Sequence, residues 1–321
     1  MGEESGTAAA ATPAPAVVGQ FLDEQKRQRR LSVHTVAAYR RDLAELAQLA
    51  ADTELTQVQA AHIRRALARL HGRGAAPASL ARKLSAWRRF FAWLVARGEL
   101  AGNPAVGVRA PRRAKRLPKA LTPDQAVQLA AHQPAATPLA LRDKAMVELL
   151  YSSGLRLSEL VGLDWRYFPA DEDGPSSTSW LDLEAKRVTV LGKGGKVRQV
   201  PVGGPAIEAL RQWLQARAAN AAATPRALFV SAQGGRIGAR SVQLRLAKLA
   251  SALGLGVHVH PHVLRHSMAS HVLQSSGDLR AVQELLGHAS IATTQVYTRL
   301  DWQHLAKTYD AAHPRARRKG G

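Results

Sequence analysis

Asn103-Pro-Ala-Val-Gly-Val-Arg-Ala-Pro-Arg-Arg-Ala-Lys-Arg-Leu-Pro-Lys-Ala-Leu-Thr-Pro-Asp-Gln125 is the stretch on which the reading of this chain turns. Its Asn-Pro start stops a preceding helix. Residues 104–119 then bring Arg109, Arg112, Arg113, Lys115, Arg116 and Lys119 with no acid. Its end, Thr122-Pro-Asp-Gln125, is a helix start: Thr as N-cap, Pro at the first helical position and Gln where a capping box needs it. A break, a run of cations and a new helix start predict two domains joined by a basic linker. The expected boundaries are a disordered tail at 1–16, a helical domain at 17–103, the linker at 104–119 and a second domain at 120–321.

Working outward, the N-terminal side reads as helix throughout. Phe21, Leu22 and Gln25 open one segment, and Val36, Tyr39, Leu43, Leu46 and Leu49 recur at helical spacing. Ile63, Leu67 and Leu70 do the same. A long helix over 77–97 carries Leu80, Leu84, Trp87, Phe91 and Leu94 as its core stripe. Arg82, Lys83, Arg88 and Arg89 fall largely on its other faces, as a solvated surface or as nucleic-acid contacts.

On the C-terminal side a helix through 139–151 ends near Gly154, and another begins near Ser158. Trp180–Leu183, Arg187–Leu191 and Val197–Val202 read as short strands, with Gly192-Lys-Gly-Gly195 as the turn between the last two. Helices are expected over 205–219, 239–253, 262–274, 279–286, 290–296 and 301–308. The chain is therefore mainly α, with a small antiparallel sheet in its second domain.

Of the 321 residues, 45 are Lys or Arg and 24 are Asp or Glu, a net charge of +21. So basic a chain calls for a polyanionic partner, either as a nonspecific nucleic-acid binder or as an enzyme acting on nucleic acid. Residues 104–119 carry 6 basic groups and no acid, against 15 and 9 in residues 1–103. Such density suits a strap across phosphates. There are no cysteines, which excludes disulfides, thiol catalysis and cysteine-ligated zinc and fits a cytoplasmic protein. The acidic start Met1-Gly-Glu-Glu lacks the basic region of a secretory signal, and no apolar run is long enough to span a membrane.

Cleaving a phosphodiester without metal needs an attacking oxygen, fixed cations for the charge on the nonbridging oxygens, and a proton for the leaving 5′ oxygen. The second domain carries those parts in order. Arg156 lies in Tyr151-Ser-Ser-Gly-Leu-Arg-Leu-Ser-Glu-Leu160, and Lys193 at the tip of the hairpin 190–198. His262 and Arg265 are three apart in His262-Val-Leu-Arg-His266 and share a helix face. His288 follows Leu286-Gly, and Tyr297 comes nine residues later. Each has a structural alternative. Arg156 pairs equally well with Glu159, Lys193 suits a solvated turn, and His262 and Arg265 suit the bracing of a helix. His288 suits a helix C-cap, and Tyr297 a helical core position. The alternating His258, His260 and His262 also admit a zinc reading, which the other motifs oppose.

Taken together, Ser153-Gly-Leu-Arg-Leu-Ser-Glu159, Gly192-Lys-Gly-Gly-Lys196, His262–His266, Leu286-Gly-His288 and Val296-Tyr-Thr298 resemble the active-site boxes of tyrosine recombinases, the phage integrase family. The resemblance covers about 17–315 and both domains. It implies a SAM-like core-binding domain followed by an α+β catalytic domain, the two forming a clamp on duplex DNA. It implies that Tyr297 attacks phosphorus to give a 3′-phosphotyrosyl link and that Arg156 and Arg265 hold the nonbridging oxygens. Lys193 would protonate the 5′ oxygen, His262 would assist proton transfer, and His288 would hydrogen-bond the phosphate. No metal, ATP or other cofactor is implied.

The ending Leu305-Ala-Lys-Thr-Tyr-Asp-Ala-Ala-His-Pro-Arg315 is similar to the Xer branch. That implies a dif-like site, a XerD-type partner in a heterotetrameric synapse with residues 300–313 packed on a neighbouring subunit, and an FtsK-type translocase as activator. The rival readings are a recombinase of a phage or mobile element, a type IB topoisomerase-like enzyme and a non-catalytic DNA-binding protein. Two departures stand out: a longer, acidic connection over 166–179, and Arg299 where many Xer proteins carry His.

Overall fold

A computed structural model describes residues 14–29, 33–49, 57–111, 121–171, 174–192, 195–219, 224–286, 309 and 311–313. They fall into two compact units, Met1–Lys115 and Arg116–Gly321. The basic residues 112, 113, 115, 116 and 119 and the helices expected over 290–296 and 301–308 lie outside the described residues.

The first unit holds α1 (Ala14–Arg29), α2 (Val33–Leu49), α3 (Ala60–Gly72) and α4 (Pro77–Ala96). Helix α1 begins at Ala14, inside the stretch expected to be a disordered tail. Proline at the start of α4 lacks only an N–H that no helical partner would use. The expected stripe of α4 is buried, and Phe21 of α1 meets Phe90 edge-on at 5.4 Å between ring centroids. The indole N–H groups of Trp87 and Trp93 donate to the Asp42 carbonyl (2.9 Å) and the Glu24 carboxylate (2.8 Å), so these large rings are buried without an unmet donor.

The basic residues of α4 are mostly committed within the unit. Arg82 and Lys83 both reach the buried Asp42 of α2, and Lys83 also pairs with Glu45. Arg88 donates to the carbonyls of Ala105 (3.0 Å) and Val108, while Arg89 donates to the Tyr39 hydroxyl at 2.9 Å. These contacts bear on the linker as well. Ala105 and Val108 are buried in the core of this unit, and Asn103 donates to the Arg88 carbonyl at 2.9 Å. The start of the stretch expected to be a linker is therefore part of the first unit, held by a guanidinium that satisfies its backbone carbonyls.

The second unit opens with α5 (Pro123–Ala131), whose capping box is formed as expected: the Thr122 hydroxyl accepts from Gln125 N at 3.2 Å, and the Gln125 amide oxygen accepts from Thr122 N at 3.1 Å. Helix α6 (Pro138–Ser153) follows and is buried over its last nine residues, Ala145–Ser153. It packs on α8 (Gly204–Ala218) and α10 (Pro261–Ser276). Between α7 (Leu157–Gly162) and α8 lies an antiparallel sheet in the order β1 (Trp180–Asp182), β2 (Arg187–Leu191), β3 (Val197–Pro201), with Leu191 opposite Val197 at the hairpin end. Helices α9 (Ala239–Ala252) and α11 (Leu279–Leu286) are the remaining elements among the described residues.

Two further segments of this unit are held by side-chain contacts. The described residues of the acidic connection 166–179 are tied down. Arg226 pairs with Asp171, donates to the Pro175 carbonyl at 2.7 Å and lies over the Phe168 ring. The Ser177 hydroxyl bridges the Asp164 carboxylate (2.7 Å) and Phe168 N (3.0 Å). In the described part of 300–313, Ala312 and His313 are buried and Ala311 is exposed. Tyr309 is buried with its hydroxyl 2.6 Å from the Ser152 hydroxyl, and His313 Nε2 lies 3.1 Å from the Tyr151 carbonyl. The buried end of α6 has polar groups that need partners, and these two side chains meet that need.

Candidate active site

The site is built around the turn from α6 to α7. Gly154 caps α6 in the left-handed region, with φ 56° and ψ 33°. Two residues on, Arg156 is extended and is the N-cap of α7. Glu159 occupies the third helical position, and its carboxylate turns back to accept from Arg156 N at 2.8 Å. An acid in the first turn also opposes the positive end of the helix dipole.

The pairing of Arg156 with Glu159 is realised, at 2.8 Å between Nη1 and Oε1, but it is half of a larger arrangement. Arg198 of β3 donates to both Glu159 oxygens, Nη1 at 2.7 Å and Nη2 at 2.8 Å. Burial would raise the Glu159 pKa, yet the hydrogen bonds and charge of Arg198, with those from Arg156, hold its carboxyl at about 2. It is an anion at any working pH, and it keeps two guanidinium groups side by side.

Arg265 joins them from α10, 109 residues further along the chain than Arg156. It is buried, and its guanidinium donates to the carbonyls of Gly154 and Leu286. Burial, and then the charges of Arg156 and Arg198, lower the Arg265 pKa to about 10, with Glu159 opposing the shift. It therefore remains a cation near neutral pH, and the cluster concentrates positive charge as a site for a phosphodiester requires.

His262 is exposed in the first turn of α10, one residue after the helix-starting Pro261. The rings of His258 and His260 are 5.8 Å apart and those of His260 and His262 are 6.2 Å apart. Among the described residues no group of three His, Cys, Asp or Glu side chains is arranged to hold a metal ion. Lys193, His288 and Tyr297 lie outside the described residues.

Of the six candidate residues, then, Arg156 and Arg265 are brought together, and His262 sits at the start of the helix that carries Arg265. The sequence reading missed Arg198 and saw Glu159 only as a partner for Arg156. One signal was available: alternation along β3 places Arg198 and Val200 on the buried face, and a buried cation needs a buried acid.

The comparisons with known proteins follow the same division of the chain. Residues 119–304 match the phage integrase family, and residues 18–98 match the phage integrase N-terminal SAM-like domain. The chain belongs to the phage integrase family. It is 56% identical over 321 residues to "Tyrosine recombinase XerC 1" of Ralstonia nicotianae, covering 97% of each chain. It is 51% identical over 305 residues to "Tyrosine recombinase XerC" of Xanthomonas campestris pv. campestris, covering 94% of this chain and 89% of the relative.

Two solved structures share the recombinase fold. The Tn1549 transposon integrase with transposon right end DNA aligns at a TM-score of 0.64 and 16% identity, covering 91% of this chain and 98% of that one. The XerH site-specific recombinase bound to palindromic difH aligns at 0.61 and 19%, covering 91% and 84%. This protein is a site-specific tyrosine recombinase, mainly helical, with a SAM-like domain ahead of a catalytic domain that holds a three-stranded antiparallel sheet. Among the described residues no helix is long and apolar enough to cross a membrane.

The recombinase depends on glycine at position 154. A Cβ there would lie 2.0 Å from the Met268 terminal methyl and 3.5 Å from Leu286, on a backbone with positive φ. Met268 can swing, but the left-handed backbone costs an alanine roughly 1 kcal/mol. Gly154→Ala is expected to lower stability by about 1–2 kcal/mol and to slow DNA cleavage, because the Gly154 carbonyl holds Arg265 and the same turn aims Arg156. Denaturant unfolding combined with single-turnover cleavage checks this. Wild-type cleavage in Gly154→Ala would show that the turn does not set the arginines.

Proposed function

We propose that this recombinase cuts and rejoins DNA through Tyr297, with Arg156, Lys193, His262, Arg265 and His288 as its catalytic partners. The observation that carries this is the convergence of Arg156 and Arg265 on one buried cluster at the end of α11, from which the chain continues to His288 and Tyr297. The Tyr297 oxygen attacks phosphorus, the bond to the 5′ oxygen breaks, and a 3′-phosphotyrosyl link forms. Arg156 and Arg265 neutralise charge on the nonbridging oxygens, work suited to a guanidinium fork. His262 assists loss of the tyrosine proton, His288 hydrogen-bonds the phosphate, and Lys193 gives a proton to the departing 5′ oxygen. Rejoining reverses these steps: a 5′ hydroxyl attacks, and tyrosine leaves. Since the ester conserves the bond, neither ATP nor metal is needed.

The XerC relatives at 56% and 51% identity support a finer reading. In it the protein works in the cytoplasm as the XerC-type member of a heterotetramer with a XerD-type recombinase. It acts at a dif-like chromosomal site, is activated by an FtsK-type translocase and resolves chromosome dimers before division.

Nicked dif-like duplex, on which the cut becomes irreversible, tests both levels when incubated with the recombinase and a XerD-type partner in EDTA. The expected result is a protein–DNA adduct that survives SDS and forms much faster on the dif-like site than on scrambled duplex. Equal trapping on scrambled DNA would discard the chromosomal reading, and an adduct that appears only with divalent metal would discard the mechanism.

A further inference from the structure

Arg198 is a buried cation in the catalytic unit to which the chemistry above gives no part. It lies on β3, the return strand of the hairpin, directly opposite Val190 of β2. Its three guanidinium nitrogens all have partners, drawn from two other elements. Nη1 and Nη2 serve the two Glu159 oxygens of α7, and Nε donates to the Leu285 carbonyl in the last turn of α11 at 3.3 Å. Glu159 in turn holds the backbone and guanidinium of Arg156.

Two further features give this contact a purpose. The last four carbonyls of a helix lack helical partners and carry the negative end of its dipole. At α11 two of them are taken by guanidinium groups, Leu285 by Arg198 and Leu286 by Arg265. The chain leaves that turn for His288, two residues on, and Tyr297, eleven residues on. The hairpin neck also passes beside the same cations. A Cβ on Gly192 would lie 3.4 Å from Arg198 Nη1 and 4.0 Å from Arg156 Nη1. Gly192 N donates to the Lys196 carbonyl at 2.7 Å, so the strands stay paired up to that neck.

We propose that Arg198 is a positioning residue for DNA cleavage, locking the hairpin neck and the Glu159–Arg156 pair to the last turn of α11. One side chain thus ties together the three segments that lead to Lys193, to Arg156 and to the His288–Tyr297 stretch. The task needs a planar fork. A lysine ammonium could meet one Glu159 oxygen, but not both oxygens and the Leu285 carbonyl in fixed geometry. The inference rests on the proposed roles of Arg156 and Tyr297.

The test compares Arg198→Ala and Arg198→Lys with the full-length protein and with Tyr297→Phe on nicked dif-like duplex. Adduct formation in single turnover, DNA affinity and the pH profile of cleavage are measured. Misplacement of reacting groups by about 1 Å costs roughly 100-fold in rate. Arg198→Ala is expected to slow adduct formation by about that factor and Arg198→Lys by roughly 10-fold, with DNA affinity within about threefold of wild type. Arg198→Ala should also move the acid limb of the profile to higher pH, since Glu159 keeps its burial but loses its main cation, leaving Arg156 and Arg265 as the facing charges, and Arg198→Lys, which keeps a charge but only part of the hydrogen bonding, should move it less.

Cleavage within about threefold of wild type in both variants overturns the proposal. So does a rate loss matched by an equal loss of DNA affinity, or an unmoved pH profile. If Arg198→Ala does not fold, Arg198→Lys decides by the same readings. Absence of an adduct with the wild-type protein, or its persistence in Tyr297→Phe, would instead count against the proposed chemistry and is read separately.

Discussion

Tyr297→Phe abolishes covalent trapping on nicked duplex while leaving DNA affinity within about threefold of wild type. The substitution removes one oxygen and keeps the ring, so binding surface and packing are conserved. Without that oxygen there is no phosphotyrosyl ester. Water in its place would have to be oriented and deprotonated by groups set for another nucleophile. Loss of a nucleophile from a working cluster costs on the order of 10⁴-fold or more, below detection in a trapping assay.

The alternative nucleophile in the same region is Tyr309, and its surroundings argue against it. It is 1% exposed, its hydroxyl is 2.6 Å from that of Ser152, and its ring stacks on His313 at 4.7 Å. Tyr309→Phe should therefore still form adduct, at some cost in stability because the Ser152 hydroxyl keeps only Gly203 N as its partner among the described residues. An adduct that persists in Tyr297→Phe and vanishes in Tyr309→Phe would transfer the role.

Glu159→Gln produces the largest loss of stability among the substitutions considered. The amide has nearly the shape of the carboxylate, so no cavity opens. It leaves the buried Arg198 without a counter-charge and offers one acceptor oxygen where Arg156 and Arg198 use two. Breaking a buried ion pair from one side costs about 3–5 kcal/mol. The effect has a signature in pH. The folded Glu159 carboxyl titrates at about 2, against 4.5 for an unperturbed glutamate. A depressed acid pKa means that the carboxylate contributes its stability in full above about pH 4.5, and that this contribution is lost as pH falls toward 2. Denaturant unfolding of wild type and Glu159→Gln at pH 7 and pH 3 should show a wide gap at the first and a narrower one at the second. A gap of constant width would mean that the charge of Glu159 is not what holds the cluster.

How far these features could be read in advance depends on the range of the forces involved. The Thr122–Gln125 capping box, the stop at Gly154, the hairpin around Gly192 and the core stripe of α4 all appear as expected, since each depends on residues a few positions apart. The catalytic motifs were legible as residue types in order, and Arg156 and Arg265 do meet. The fate of single charges was not legible. Arg82, Lys83 and Arg88 read as a surface for solvent or DNA, yet they are taken up by Asp42, Glu45 and the carbonyls of Ala105 and Val108. The acidic run near Asp171 read only as a longer connection, and its tie to Arg226, 55 residues away, was not visible.

From the order of its residues alone this chain declares its described helices, its hairpin and six candidate side chains for the proposed strand-transfer chemistry, because caps, periodicity and motif order are local properties. Which cations are spent inside the protein and which face a phosphate is a different question. It depends on what lies within hydrogen-bond reach after folding, and on how strongly burial penalises a charge left alone. Glu159 shows the difference most clearly. A local pairing places it beside Arg156, but only the folded chain adds Arg198 from β3 and, through it, the last turn of α11.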